Sequence, residues 1–162
     1  MTQEEKVYQT LADLEISYKK YKHPPVFTIE EANEHWQDVE GMHCKNIFIR
    51  DKKGRQHYLL IVPFSKQVNM KGLNEKFNNR FSFASPERLE KWLKLTPGSV
   101  SAFGLINDDQ KHVIVILDDE VSNAEQVSFH PNINTRTLTI SQANFKKFLD
   151  HCGNEIMLMD VN

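Results

Sequence analysis

Met42-His43-Cys44-Lys45-Asn46-Ile47-Phe48-Ile49-Arg50-Asp51, then Lys52-Lys53-Gly54, then Gln56-His57-Tyr58-Leu59-Leu60-Ile61-Val62-Pro63: this stretch reads as a β-hairpin. Residues 44–50 and 56–63 are rich in β-branched and aromatic side chains, and the glycine-bearing basic turn between them lets the chain reverse. The first strand carries a cation, Lys45, at its mouth. Further on, Pro97-Gly98-Ser99-Val100-Ser101-Ala102-Phe103-Gly104 is a glycine-punctuated loop that can turn backbone N–H and C=O groups toward a ligand. A strand-borne ammonium facing such a loop makes a site for a phosphate beside a small, polarised carbonyl.

Outward from the hairpin, the elements follow from local signals. Val7, Leu11 and Leu14 recur at helical spacing, which predicts an amphipathic helix over 3–15. Residues 16–22 alternate as a strand, stopped by His23-Pro24-Pro25, whose prolines fix φ and remove two donors. Thr28-x-x-Glu31 is a capping box for a short helix. A helix is expected over 70–77. Another starts at Ser85-Pro86-Glu87, turns Leu89, Trp92 and Leu93 inward, and stops near Pro97-Gly98. The aliphatic run 112–117 predicts a central strand, and 127–130 and 135–140 predict shorter ones. Ser141 caps a last helix bearing Phe145, Phe148 and Leu149, Gly153 ends it, and 156–159 return as a strand. The irregular alternation favours an α+β fold, a mixed sheet with helices around it.

The totals set bounds. A chain of 162 residues is most simply one domain, 1–162. Hydrophobic content of 40% and charged content of 26% are those of an ordinary globular protein. With a net charge of −2 there is no global basic field, so a nucleic acid would have to meet a local patch. No signal peptide and no long apolar run is seen, and the expectation is a cytoplasmic protein with no membrane partner. Cys44 and Cys152 are far apart with no CxxC, and the histidines lack HxxxH or HxH spacing, so neither a disulfide framework nor a metal site is expected.

Several segments together carry a family likeness: His23-Pro24-Pro25-Val26-Phe27-Thr28, Lys45-Asn46-Ile47-Phe48, Arg80-Phe81-Ser82-Phe83, Thr96 through Asp108, and Phe129-His130-Pro131. In this order they resemble the YbaK/ProX family of trans-editing aminoacyl-tRNA deacylases and the editing domain of bacterial prolyl-tRNA synthetases. The resemblance covers about residues 20–150 and leans toward the free-standing ProX branch. It implies a single-domain α+β fold with a mixed, partly barrelled sheet, no metal or organic cofactor, and hydrolysis of alanine mischarged onto proline tRNA. It also implies the acceptor end of that tRNA as partner, with prolyl-tRNA synthetase as a further one. YbaK-type domains commonly end the glycine loop in proline. Here the position is Ala102, which shifts weight from a cysteine to an alanine substrate.

Lys45, Gly98 and His130 are the residues on which the chemistry would turn. Alone, Lys45 reads equally as a solvated strand residue. With the resemblance it becomes the anchor for a phosphate of the tRNA 3′ end. Gly98 would line the reacting ester, or alternatively cap the preceding helix. Ser99, Ser101 and Ala102 share its loop and become binding candidates. No Gly-x-Ser-x-Gly elbow accompanies the serines, so serine catalysis is not expected. His130 would orient the aminoacyl-adenosine, the water being activated by the tRNA's own terminal ribose hydroxyl. Asn46 is a substrate or tRNA contact, although strand alternation turns it to the face opposite Lys45. Arg80 is a candidate for the acceptor stem. Val26, Phe27 and Ile29 would border a small pocket. Cys44 reads as a buried core residue whose thiol a neighbouring cation could activate. Two other readings stay open: a deacylase for cysteinyl or seryl groups, and a binding module that senses an aminoacyl-tRNA without turnover.

Overall fold

The structure, a computed structural model, describes residues 1–25, 31, 34, 36, 37 and 39–162. The capping box at Thr28 and Glu31 lies mostly outside the described residues, as do Val26, Phe27 and Ile29. Helix α1 spans Gln3–Asp13 and begins at Thr2, whose hydroxyl accepts from Glu5 N–H while the Glu5 carboxylate accepts from Thr2 N–H. Strand β1 (Lys19–Lys22) leads to β2 (Met42–Arg50) and β3 (His57–Pro63). Then come α2 (Met70–Phe77), β4 (Ser82–Phe83), α3 (Pro86–Leu93) and a 3₁₀ helix (Ala102–Asn107). The remainder is β5 (Ile114–Asp118), α4 (Asp119–Asn123), β6 (Gln126–Phe129), β7 (Arg136–Ser141), α5 (Gln142–Cys152) and β8 (Ile156–Met159).

The strands join in one mixed sheet of order β1-β7-β6-β2-β3-β5-β8, with β4 attached to β2. β2 pairs antiparallel with β3 without a bulge, from Cys44↔Pro63 to Arg50↔His57. Its other edge is divided. Met42 and His43 pair in parallel with β6, whereas Ile49 and Arg50 pair antiparallel with β4. The sheet therefore branches at β2, and no register joins the end strands β1 and β8 among the described residues.

Alternation along the central strands builds a core on each face. Phe48, Leu59, Ile61, Val115 and Leu117 pack with Val7, Leu11, Leu89, Leu93, Phe103, Phe145 and Phe148 on one side. Ile49, Tyr58, Leu60, Val62 and Ile116 pack with Leu73, Phe81 and Val161 on the other. The aliphatic runs expected to be central are central for this reason: a strand covered on both faces has no polar side.

Two polar assemblies thread these cores. Arg88 donates to His57 Nε2 (3.1 Å) and to the Gly54 carbonyl (2.9 Å). With Nε2 accepting, His57 carries its proton on Nδ1 and donates it to His112 Nε2 at 2.8 Å. Gly54 has φ +69°, and a Cβ there would meet the Arg88 guanidinium at 2.6 Å, so the turn glycine admits the arginine. Elsewhere Lys66 bridges the fully buried Asp118 and Asp160, each at 2.8 Å. The other Asp118 oxygen accepts from Glu120 N–H, starting α4.

Helix α3 stops earlier than the sequence indicates. Its C-cap is Lys94 with φ +58°, rather than the Pro97-Gly98 pair. The 3₁₀ helix, α4 and β4 have no strong local signal and were not expected.

Candidate active site

Lys45, Gly98 and His130 meet at one hollow. A cavity of about 180 Å³ is lined by Trp36, Cys44, Lys45, Asn46, Phe64, Gly98, Val100 and His130. Lys45 and Asn46 both reach it although their side chains leave opposite faces of β2. The cavity lies where the β2 edge has no strand partner among the described residues, between β6 and β4, and an edge is open to residues of both faces.

Gly98 is free for this role because Lys94 ends the helix. Thr96 to Ser99 form a turn closed by Ser99 N–H donating to the Thr96 carbonyl at 3.1 Å. Proline at the second position and a glycine of φ +88° at the third match a type II turn. Ser101 has another task from the one expected. It is fully buried, caps the 3₁₀ helix by accepting from Phe103 N–H, and donates to the His130 carbonyl at 2.5 Å. Ser101 thus ties the glycine loop to His130. Ala102 is fully buried in the main core, and neither residue lines the hollow, nor does Ser99.

The His130 ring donates from Nδ1 to the Arg136 carbonyl at 2.8 Å. A carbonyl can only accept, so Nδ1 bears the proton and Nε2 keeps a lone pair. Burial pushes the His130 pKa down, which keeps the ring neutral. Trp36 stacks on His43 with centroids 4.2 Å apart and meets Phe64 edge-on at 4.9 Å, forming an aromatic wall. Lys45 is partly buried with no ion pair among the described residues, and burial lowers its pKa. No carboxylate lines the cavity, so the ammonium is its one charge among the described residues. Cys44 is buried against the core, and burial raises its thiol pKa, so the activation a neighbouring cation could provide does not occur.

Arg80 lies elsewhere. With Lys52, Lys53 and Lys71 it lines an open polar groove at the hairpin tip. Six residues of β2 and its turn separate that groove from Lys45, about 20 Å at the usual strand rise.

A profile of the aminoacyl-tRNA editing domain matches residues 23–148, most of the chain and every element around the hollow. The chain belongs to the aminoacyl-tRNA editing domain family. Among curated relatives, the prolyl-tRNA editing protein ProX of Acetoanaerobium sticklandii is 37% identical over 164 residues, 99% of each chain. The prolyl-tRNA synthetase associated domain-containing protein 1 of Bos taurus is 31% identical over 159 residues, covering 95% of this chain and 92% of its own. The fold is shared with a crystal structure of a candidate trans-editing enzyme for prolyl tRNA synthetase, at TM-score 0.73 and 16% identity over 100% of this chain and 98% of the other. Editing an aminoacyl-tRNA is hydrolysis of its ester, and the chain is a deacylase by that membership. Of the residues lining the hollow, Trp36, Phe64 and Val100 were missed from sequence. Val100 sits in the glycine loop itself, and Phe64 follows the proline that ends β3, whereas nothing local marks Trp36.

Proposed function

We propose that residues 1–162 act as one cytoplasmic trans-editing domain that removes alanine from mischarged proline tRNA. The carrying observation is the meeting of Lys45, the Gly98 turn and His130 on one small, otherwise uncharged hollow. A synthetase for proline cannot exclude the smaller alanine, because a missing methylene is worth only about 1–3 kcal/mol. A second site too small for proline solves the problem. Trp36, Phe64 and Val100 supply that limit.

In this reading Lys45 holds a phosphate oxygen at the tRNA 3′ end. The Gly98 turn brings backbone against the ester carbonyl, and His130 Nε2 orients the aminoacyl-adenosine. Water, with the terminal ribose hydroxyl drawing its proton, attacks the carbonyl carbon. The ester C–O bond breaks, and the ribose oxygen leaves with a proton. None of these steps requires a serine nucleophile or a bound cofactor. The acceptor stem would run toward Arg80, Lys52 and Lys53 at the hairpin tip, where cations suit phosphates. The names of the curated relatives support proline tRNA as substrate and prolyl-tRNA synthetase as a partner.

The purified protein is expected to release labelled alanine from alanyl-tRNA faster than cysteine or serine from their esters on the same tRNA. Rates equal to buffer on all three would overturn the reading, and capture without release would point to a sensing module. Lys45→Ala should reduce kcat/KM about tenfold to a hundredfold, the loss of one charge-assisted hydrogen bond. Gly98→Val should cost about a hundredfold, because a valine resists φ near +88° and a shift of 1 Å in the turn misplaces the ester. The valine variant should stay folded but lose about 1–2 kcal/mol of stability to the strained φ, far too little to explain a hundredfold loss of activity by unfolding.

A further inference from the structure

The hollow is bounded by an element that proteins normally hide, a strand edge without a strand partner among the described residues. The hydrogen-bond phase of β2 follows from its contacts with the β3 side. Phe64 N–H donates to the His43 carbonyl at 2.8 Å, and Asp51 N–H donates to the Gln56 carbonyl at 3.1 Å. Odd-numbered residues of β2 therefore bond toward β3, and even-numbered residues present N–H and C=O to the opposite edge. The Phe48 carbonyl, accepting from Ala84 N–H at 3.0 Å, agrees with that phase. On this edge β6 stops at His43 and β4 starts at Ile49. The N–H and C=O of Asn46 thus face the gap with no strand partner among the described residues.

The Asn46 side chain adds to this. It lines the cavity, and its Oδ1 is buried without a hydrogen-bond partner among the described residues. A buried acceptor left unpaired is costly, so it marks a place where a donor belongs. His130 Nε2 contributes a third acceptor to the same hollow. Among the described residues the cavity therefore holds these three neutral acceptors, one cation and no carboxylate. An ammonium group brings three N–H donors. Lys45 cannot provide them without abandoning an anion, and its side chain leaves the other face of β2.

We propose that the open β2 edge at Asn46 recognises the free α-ammonium of the aminoacyl group, so that the site acts on aminoacyl esters and spares N-acylated ones such as peptidyl-tRNA. This rests on the deacylase reading above. Acylating the nitrogen removes its charge and two of three donors, and adds a planar group to a cavity of about 180 Å³. The ester itself is unchanged, so discrimination arises from the amine.

The test uses wild-type protein and three esters of one tRNA: alanyl, N-acetylalanyl, and lactyl, in which a hydroxyl replaces the ammonium. Each enzymatic rate is divided by the buffer rate for the same ester, because the ammonium also activates the carbonyl. The enhancement is expected to fall at least about tenfold for the acetyl and lactyl esters, the scale of losing hydrogen bonds to a charged group. In Asn46→Ala the preference for the alanyl ester should shrink several-fold. Equal enhancement of alanyl and N-acetylalanyl esters would overturn the inference and leave the deacylase reading intact. No enhancement of any ester would overturn both. An Asn46→Ala protein that loses the same factor on all three would overturn the assignment to Asn46.

Discussion

Acidification from pH 7.5 to pH 4 should remove about 3 kcal/mol of stability for each of two histidines, His43 and His57, whose pKa values are pushed down to about 4. Burial is the main cause for both. For His57 the neighbouring His112 and the Arg88 guanidinium add to it, because a second ring proton would sit against the Arg88 N–H. Asp51 acts in the opposite sense and Lys91 adds slightly to the depression. His43 is enclosed by the Trp36 stack, and His130 and His23 add to its depression, against a backbone bond at Val39. In the unfolded chain imidazole takes up its proton near pH 6.5. Between 6.5 and 4 the unfolded state therefore binds more protons, and stability present above 6.5 drains away as pH falls. Urea midpoints across this range measure the loss. His57→Gln, which keeps an acceptor for Arg88, should reduce the pH dependence by about 3 kcal/mol. An unchanged pH profile in that variant would contradict the assignment.

Removing the Asp118 carboxylate should be as severe. Asp118→Ala is expected to lower the unfolding free energy by about 3–5 kcal/mol, the cost of breaking a buried ion pair from one side. Asp118 is fully buried, pairs with Lys66, starts α4 and accepts from Val161 N–H at 3.2 Å. Its loss frees three elements together and strands the Lys66 ammonium, which keeps only Asp160 at 2.8 Å and a distant Glu120. The same loop carries Phe64, a wall of the candidate cavity, so deacylation is expected to fall with stability. Equilibrium unfolding decides the point, and a change below about 1 kcal/mol would remove Asp118 from this role.

Elements whose cause is local were legible before any coordinates. Helix α2 spans the expected residues, α3 starts at the Ser85 cap, and α5 runs from Ser141 to Gly153. In each, a cap, a proline or a left-handed glycine acts within a few residues of the boundary. The hairpin was legible for the same reason, and its first strand begins only two residues earlier than expected. The end of α3 was not, because Lys94 adopts a left-handed conformation that the glycine four residues on, Gly98, would have served at lower cost. Strand β4 is two residues long and exists through β2. The 3₁₀ helix follows from Ser101, whose hydroxyl answers to a carbonyl 29 residues away.

The candidate site divides in the same way. Lys45, Gly98 and His130 could be named from the order of residues because an anchor, a turn and an imidazole each need a particular side chain or none. Ser101 was misjudged because a hydroxyl in a glycine loop looks identical whether it faces a substrate or a backbone carbonyl. Trp36, Phe64 and Val100 shape the hollow only through packing, to which apolar residues of many kinds are equivalent. Residue types, capping signals and periodicity alone pointed to the α+β class, the resemblance of the quoted motifs pointed to the family, and together they supplied the candidate residues of the site. The tertiary structure decided that β2 has no strand partner at Asn46 among the described residues, since pairing is a relation between distant strands, and a gap between β6 and β4 has no mark in the residues that border it.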